Sequence, residues 1–360
     1  MANTDWMFRL RGTLTKSQNT MLGVVGVSMF LGIWILLTAG EDPLVVKQIL
    51  PSPFKVVSSY SELLSDNDLV VNTAKSIGLN LAGYILALLV TLPLGFAIGL
   101  VPVLRGLFQR YVEAIRFVPI TPTVGLFVIW IGIGVSMKST FMAFGIFIFL
   151  LPVVIQRIDE VRDVYLKTVY TLGATNWQTV RSVYIPSVMS RIWDDIRIMT
   201  AISWTYIVFI ESYSSAGGLG DILLKGAKRR GRIDKVFALL VLIILIGVFQ
   251  DKIFAYMDRK LFPHKYQTKG KYDHNSKDTE ESAISVVIDY IWLAFTWVML
   301  FLYLVVAMDE FFGVLGGYNI LTYLFGGTAW VIHFIFLSII GYKIYGLTNK
   351  NKSIHGGVPA

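Results

Sequence analysis

The chain contains no cysteine, which excludes disulfides, thiolate metal sites and cysteine nucleophiles. Histidine is nearly as scarce. His264, His274, His333 and His355 are scattered, and none has the i, i+4 spacing that a metal-binding pair on a helix needs, so no metal site is expected. No Gly-x-x-x-x-Gly-Lys-Ser/Thr sequence occurs, so there is no phosphate-cradling loop and no catalytic constellation to assign. Low-complexity stretches are missing, as are repeats at the roughly 20 to 50 residue periods of solenoids. Charged residues make up only 16% of the chain.

What is present is apolar sequence. With 360 residues, 55% of them hydrophobic, and a mean hydropathy of +0.63, the chain reads as an all-α polytopic membrane protein. Its solvent is membrane lipid. Apolar runs at 21–39, 76–103, 119–133, 141–155, 198–210, 236–256, 284–308 and 320–344 are candidate spans, the third and fifth short enough to extend into polar flanks or to pack against protein. The first run is too long for a signal-peptide core and reads as a retained span. The net charge of +8 reports topology through the positive-inside rule and does not imply a nucleic-acid partner. The N-terminal segment, 105–116, 157–197 and 258–281 are basic, whereas 41–68 is mainly acidic and Asp309-Glu310 caps the last hairpin. An even number of spans with both termini cytoplasmic accommodates these loops. One loop disagrees: Lys225, Lys228, Arg229, Arg230, Arg232 and Lys235 would lie outside. A surface helix meeting lipid headgroups accounts for that cluster, and attraction of an anion or acidic partner is the alternative.

Between the fourth and fifth spans lies a polar interruption at 168–186, the most informative stretch of the sequence. It carries Thr171-Leu172-Gly173-Ala174, then Trp177-Gln178, and closes on Tyr184-Ile185-Pro186. The pattern predicts two short helices, with Gly173 permitting the turn between them and Pro186 marking a break before the next span.

This interruption resembles the EAA loop of ABC importer permeases. The resemblance covers roughly 32–265 and includes Leu50-Pro51-Ser52-Pro53 with Val56-Val57, and Pro93-Leu94-Gly95 with Gly99. Arg116 with Pro119, Trp130-Ile131-Gly132-Ile133-Gly134 and Ser215-Ala216-Gly217-Gly218-Leu219-Gly220 complete it. These fall in the order found in the nitrate, sulfonate, taurine and bicarbonate group. The resemblance implies a type I permease core of about six transmembrane helices at 21–257 after an N-terminal segment at 1–20. A coupling loop at 163–186 would seat in a groove of an ABC ATPase through Lys167, Thr168, Gly173, Ala174, Trp177 and Pro186. It also implies a bacterial inner-membrane location, a periplasmic or lipid-anchored solute-binding protein, and a second copy of the chain as partners. ATP and magnesium would be bound by the partner ATPase, leaving this chain without a cofactor or enzymatic activity of its own. The transported solute would be small and anionic.

Two features depart from that pattern. The EAA triplet falls on Lys167, Thr168 and Val169, replacing a glutamate by a lysine, and a second-span position often basic in the family is Asn80. Lys167 implies a compensating acidic or neutral site on the ATPase. The other departure is a charged linker at 258–282, an extra transmembrane hairpin at 283–346 and a tail at 347–360. The hairpin enlarges a dimer contact or merely stabilises the fold, or else docks an additional subunit. Asp289 and His333 within it could pair, unless Asp289 reaches the membrane interface.

Polar residues on apolar spans are candidates for the translocation pathway, because lipid-facing positions carry them only at a cost. They are Thr121 and Thr123 on the third span, and Ser203, Trp204, Thr205, Tyr206 and Glu211 on or beside the fifth. For the hydroxyl residues an interhelical hydrogen bond is an equal alternative, and for Trp204 and Tyr206 packing is. Glu211 is expected at the outer rim or hydrogen-bonded. Gly95-x-x-x-Gly99 is a close-packing signal within one subunit. A non-transporting scaffold or sensor is the rival function; a secondary transporter is disfavoured by the lack of buried carboxylates and broken-helix pairs.

Overall fold

The computed structural model describes residues 12, 14–40, 43–213, 217–267, 283–313 and 318–355. They form α1 (Lys16–Thr38), α2 (Pro53–Asp66), α3 (Leu69–Leu100), α4 (Pro102–Ile115), α5 (Ile120–Ile131), α6 (Val135–Asp159), α7 (Asp163–Thr171) and α8 (Asn176–Thr179). Then come α9 (Ile185–Glu211), α10 (Leu219–Asp221), α11 (Ile233–Leu261), α12 (His264–Gln267), α13 (Ala283–Phe312), α14 (Ile320–Phe325) and α15 (Ala329–His355). Among the described residues there is no strand. The all-helical, multi-pass reading of the sequence holds.

Of the eight expected spans, six coincide with helices long and apolar enough to cross a membrane: α1, α3, α6, α11, α13 and the α14–α15 stretch to Ile344. The other two differ for physical reasons. At about 1.5 Å per residue the 12-residue α5 covers only about 18 Å of a hydrocarbon core of about 30 Å. It joins α4 at a bend of 110°, so the pair forms one broken span or a re-entrant element; with the buried Glu211 of α9 this corrects the expectation that the chain lacks broken-helix pairs and buried carboxylates. Helix α9 is long, but its first half carries Arg191, Asp194, Asp195 and Arg197, which the expected span at 198–210 left outside.

The described residues divide into two compact units. The first comprises those up to Asn67 together with Leu223–Leu242. The Trp34 indole donates to the Pro51 carbonyl at 3.0 Å and its ring meets Phe237 at 5.9 Å, joining α1, the segment before α2 and the start of α11. The Tyr60 hydroxyl donates to the Ala238 carbonyl at 2.7 Å. Part of the anomalous basic loop is consumed here: Arg232 bonds Glu62 and Asp234, each at 2.8 Å, and Lys235 lies 3.2 Å from Glu62. Arg229 and Arg230 stay exposed, and the side chains of Lys225 and Lys228 lie outside the described residues. The loop therefore presents less free positive charge than its sequence suggests.

Hydrogen bonds from Arg232, then from Lys235, hold the Glu62 carboxyl below the usual glutamate range. A lowered folded pKa means that the contribution to stability is complete above the unfolded value and fades as pH falls through the folded one. We expect Arg232→Gln to lower the thermal midpoint slightly at neutral pH, with parent and variant converging in acid; salt shrinks the difference, because the pair is solvent-exposed. Thermal unfolding of both proteins across pH and ionic strength checks this.

The second unit comprises Asp68–Ile222 and the described residues from Ile243 onward. Its centre is the packing of α3, α6 and α9. The α3–α6 contact is close because glycines make it so: a Cβ on Gly95 would sit 2.5 Å from Val154 Cγ1, and one on Gly99 would sit 2.6 Å from Ile158 Cδ1. The Gly-x-x-x-Gly signal thus serves packing within one chain. Leu79, Ile120, Val124, Phe127, Met137, Phe141, Ile148 and Ile210 form a core joining α3, α5, α6 and α9.

The appended hairpin belongs to this unit. Tyr303, Ala307, Leu321, Ala329 and Ile332 cluster with Leu81 of α3, and Trp292 stacks on Phe249 and Tyr256 of α11 at 6.1 and 5.4 Å. Its turn rests on Gly78, where a Cβ would lie 2.2 Å from Thr328 Oγ1 and 3.0 Å from Phe325 Cδ1. We expect Gly78→Ile to cost about 1–3 kcal/mol through overpacking and to expose the hairpin to limited proteolysis before the rest of the chain. Equal proteolysis of parent and variant would contradict this docking. The Asp289 side chain, expected to pair with His333 or to reach the interface, lies outside the described residues. His333 Nδ1 lies 3.1 Å from the Tyr303 hydroxyl, and its Nε2 lies 3.8 Å from Glu310.

Candidate functional site

The interruption folds into two short helices, as its sequence chemistry requires. Helix α7 ends on Leu172, and Gly173 follows with φ of +77°, a left-handed conformation that glycine adopts without cost. The Gly173 amide donates to the Tyr170 carbonyl at 3.0 Å and the Ala174 amide to the Val169 carbonyl at 3.1 Å, satisfying the end of the helix. Thr175 then caps α8. Its hydroxyl accepts from the Gln178 amide at 3.3 Å while its own amide donates to Gln178 Oε1 at 2.8 Å, a reciprocal capping box.

Pro186 does not break the chain direction. A π-helical stretch, Val180–Tyr184, leads from α8 straight into α9, and the Ile185 amide reaches back to the Val180 carbonyl. Proline lacks an N–H and its ring crowds the carbonyl four residues before it. The wider π turn removes that conflict, so Pro186 sits in the first turn of α9.

No residue of α7 is buried. Leu172 is 80% and Trp177 70% exposed, and Tyr170, Val164 and Tyr165 join them at the surface. Lys167, Thr168, Gly173 and Pro186 are exposed too, whereas Ala174 is half-buried. An exposed apolar face on a structured element between membrane helices is a candidate docking surface. Its base is held by ions. Arg157 of α6 bonds Asp195 of α9 through two contacts of 2.8 Å and Glu160 through another of 2.8 Å, Arg191 lies 3.3 Å from Glu160, and Arg197 bonds Asp251 of α11 at 3.0 Å. Hydrogen bonding from Arg157 holds the Glu160 carboxyl below its usual range. Arg105 of α4 pairs with Asp159 at the same end.

From this base α9 runs alongside a polar seam on α3. Asn72, Ser76, Asn80 and Tyr84 recur every fourth residue, hence on one helix face. Asn80 donates to Ser203 Oγ at 2.8 Å and accepts from Gln250 at 3.2 Å, while the Trp204 indole donates to Gln250 at 3.0 Å. The Tyr84 hydroxyl lies 3.3 Å from Thr200 Oγ1. At the far end the Glu211 carboxylate meets Ser76 Oγ at 2.7 and 2.9 Å and accepts from the Gly220 amide at 2.8 Å.

A model of the binding-protein-dependent transport system inner membrane component family matches residues 80–263, just over half of the sequence. The chain belongs to this family. A putative ABC transporter permease of Methanocaldococcus jannaschii is 29% identical over 236 residues, which cover 64% of this chain and 86% of the relative. The taurine transport system permease of Escherichia coli is 25% identical over 260 residues, covering 71% and 94%. A putative aliphatic sulfonates transport permease of Bacillus subtilis is 25% identical over 258 residues, covering 71% and 91%. The protein is thus an ABC transporter permease, a translocation component and not an enzyme, embedded in the membrane through several spans.

The permease does not gather its seven candidate pathway residues in one place. Thr121 and Thr205 are exposed on α5 and α9, and Thr123 and Tyr206 are half-buried beside them. The Thr123 hydroxyl donates to the Ile120 carbonyl at 2.7 Å. Tyr206 lies over Gly145, where a Cβ would come within 2.9 Å of its ring. Ser203, Trp204 and Glu211 are buried and face neighbouring helices of the same chain. Sequence reasoning missed Gln250, Asn72, Arg157 and Asp195. The four-residue recurrence of polar side chains along α3 is the signal that would have found Asn72. Ser215 and Ala216 lie outside the described residues.

Proposed function

We propose that this permease forms the translocation pathway of an ATP-driven importer for a small anionic solute and couples to separate ATPase subunits through residues 168–186. The observation that carries this reading is the capped loop exposing Leu172 and Trp177 on a base of ion pairs. Such a surface fits a groove on a soluble partner. The partner ATPase binds ATP and magnesium, and a periplasmic or lipid-anchored binding protein delivers the solute. With Lys167 exposed where the family carries a glutamate, the partner's groove offers an acidic or neutral site there.

Two copies of the chain enclose the pathway. Thr121 and Thr205 line it, with Thr123 and Tyr206 at their flanks, and Ser203, Trp204 and Glu211 hold the wall behind. Both termini are cytoplasmic, which puts the coupling loop on the side where ATP is available. Relatives named for taurine and aliphatic sulfonates favour an organic sulfonate over nitrate or bicarbonate as the solute. Membership in a family of transport permeases disfavours a non-transporting scaffold.

The test is purification in mild detergent followed by reconstitution into proteoliposomes with the co-purified ATPase and a solute-binding protein from the same organism. We expect ATP-dependent accumulation of taurine or a short alkanesulfonate. A chain that purifies without any ATPase, or vesicles that accumulate none of the tested anions, would overturn the proposal.

A further inference from the structure

Helix α9 starts at the segment we assign to coupling and ends, 27 residues later, at Glu211. At about 1.5 Å per residue that is about 40 Å, enough to reach the opposite end of the membrane-embedded unit. Glu211 is 1% exposed. A buried carboxylate is costly unless several donors meet it, and here they do: Ser76 of α3 and the Gly220 amide bond it directly, and the buried ammonium of Lys138 on α6 acts on it electrostatically.

The segment after α9 is fastened at three consecutive amides. Gly218 donates to Asn72 Oδ1 at 2.7 Å, Leu219 to Ser76 Oγ at 2.8 Å and Gly220 to Glu211 Oε2 at 2.8 Å. The glycines make this approach possible. A Cβ on Gly218, whose φ is +114°, would lie 2.3 Å from the Glu211 carboxylate, and one on Gly220 would lie 2.4 Å from the Val208 carbonyl oxygen. Ser76 is the shared piece, since its hydroxyl serves Leu219 and Glu211 together.

We propose that Glu211 is a positioning residue of the transport cycle: it ties residues 217–220 to α9 and α3, so that a displacement of α9 begun at the coupling loop moves this segment at the far end of the helix. The inference rests on the coupling reading and adds the element that the motion reaches. Physical transmission requires such a continuous link, with both ends answering to the same helix.

The cysteine-free sequence supplies the experiment, because one introduced thiol is unique. Tyr213, 48% exposed beside the fastened segment, takes it. In the Tyr213→Cys chain, assembled with its ATPase in nanodiscs, labelling by a membrane-impermeant maleimide is expected to differ at least about threefold between the nucleotide-free and vanadate-trapped states. Adding Glu211→Gln or Ser76→Ala should erase that difference while ATP hydrolysis continues, and the double variant should do no more than either single one. Amide hydrogen exchange should rise about tenfold at Leu219 in Ser76→Ala and at Gly220 in Glu211→Ala, each having lost the acceptor of one buried hydrogen bond. Variants that keep the parental state dependence, or that leave those amides protected, would overturn the inference. Constant labelling in a parent that still imports solute also sinks it and leaves the coupling reading intact; a parent that neither imports nor binds an ATPase removes the coupling reading itself.

Discussion

Gly173→Val is expected to reduce ATP-driven uptake by at least about tenfold while leaving the protein folded. Gly173 holds φ at +77° with no neighbouring atom near its missing side chain, so the penalty is conformational and not steric. A β-branched residue in this left-handed region costs roughly 1–2 kcal/mol, which the exposed loop relieves by rotating α7 away from α8. Leu172 and Trp177 flank the turn and would lose their common orientation. Since 1.4 kcal/mol is a factor of ten in an equilibrium, the competent docking geometry becomes a minority state. Gly173→Asn is the control, because asparagine tolerates the left-handed region; it should keep most of the transport. Uptake in proteoliposomes, measured beside the ATPase rate and the thermal midpoint, separates uncoupling from misfolding. Parental uptake by the valine variant would show that the turn is not a coupling element.

Gly95→Leu is expected to produce the largest loss of stability, at the upper end of the roughly 1–3 kcal/mol typical of overpacking. The obstacle is Val154, whose Cγ1 and Cβ lie 2.5 and 2.8 Å from the position of an added Cβ. A Cβ atom on a packed helix cannot rotate aside, so α3 and α6 must separate along their contact. Gly99→Leu should be milder, because the nearest atom there is the mobile Ile158 Cδ1, at 2.6 Å. Val154→Ala should recover part of the loss in a Gly95→Ala background and none in a Gly99→Ala background. Thermal unfolding of the six variants in one detergent checks the order. Equal losses at Gly95 and Gly99 would argue that the two helices adjust as rigid bodies.

The turn between α7 and α8 was legible because its chemistry is local. Gly173, Thr175 and Gln178 dictate a turn and a cap without reference to the rest of the chain. The apolar runs were legible for the same reason, each being long enough to declare itself. Helix α9 was not: its first half looks like loop until Asp195 and Arg197 find Arg157 and Asp251 on other helices, pairings that no local pattern reveals. The π-helical stretch that absorbs Pro186 is likewise a solution found by the folded backbone. The pathway candidates were chosen by polarity alone, and polarity does not name a face. Thr200, Ser203, Ile207 and Glu211 recur at helical spacing on the buried side of α9, whereas Ile198, Ala201 and Thr205 recur on the exposed side. That periodicity sorts the list; the identities of the partners, Asn80 and Gln250 among them, needed the fold.

Helix α3 now has a neighbour on three flanks. It meets the appended hairpin at Gly78, α6 at Gly95 and α9 through Ser76 and Asn80. A rod hemmed in this way has no independent tilt: any rearrangement that turns α3 must carry α13 to α15 along with it. In an importer that works by re-tilting α3, the hairpin would travel as cargo, and each cycle would drag two additional spans through lipid.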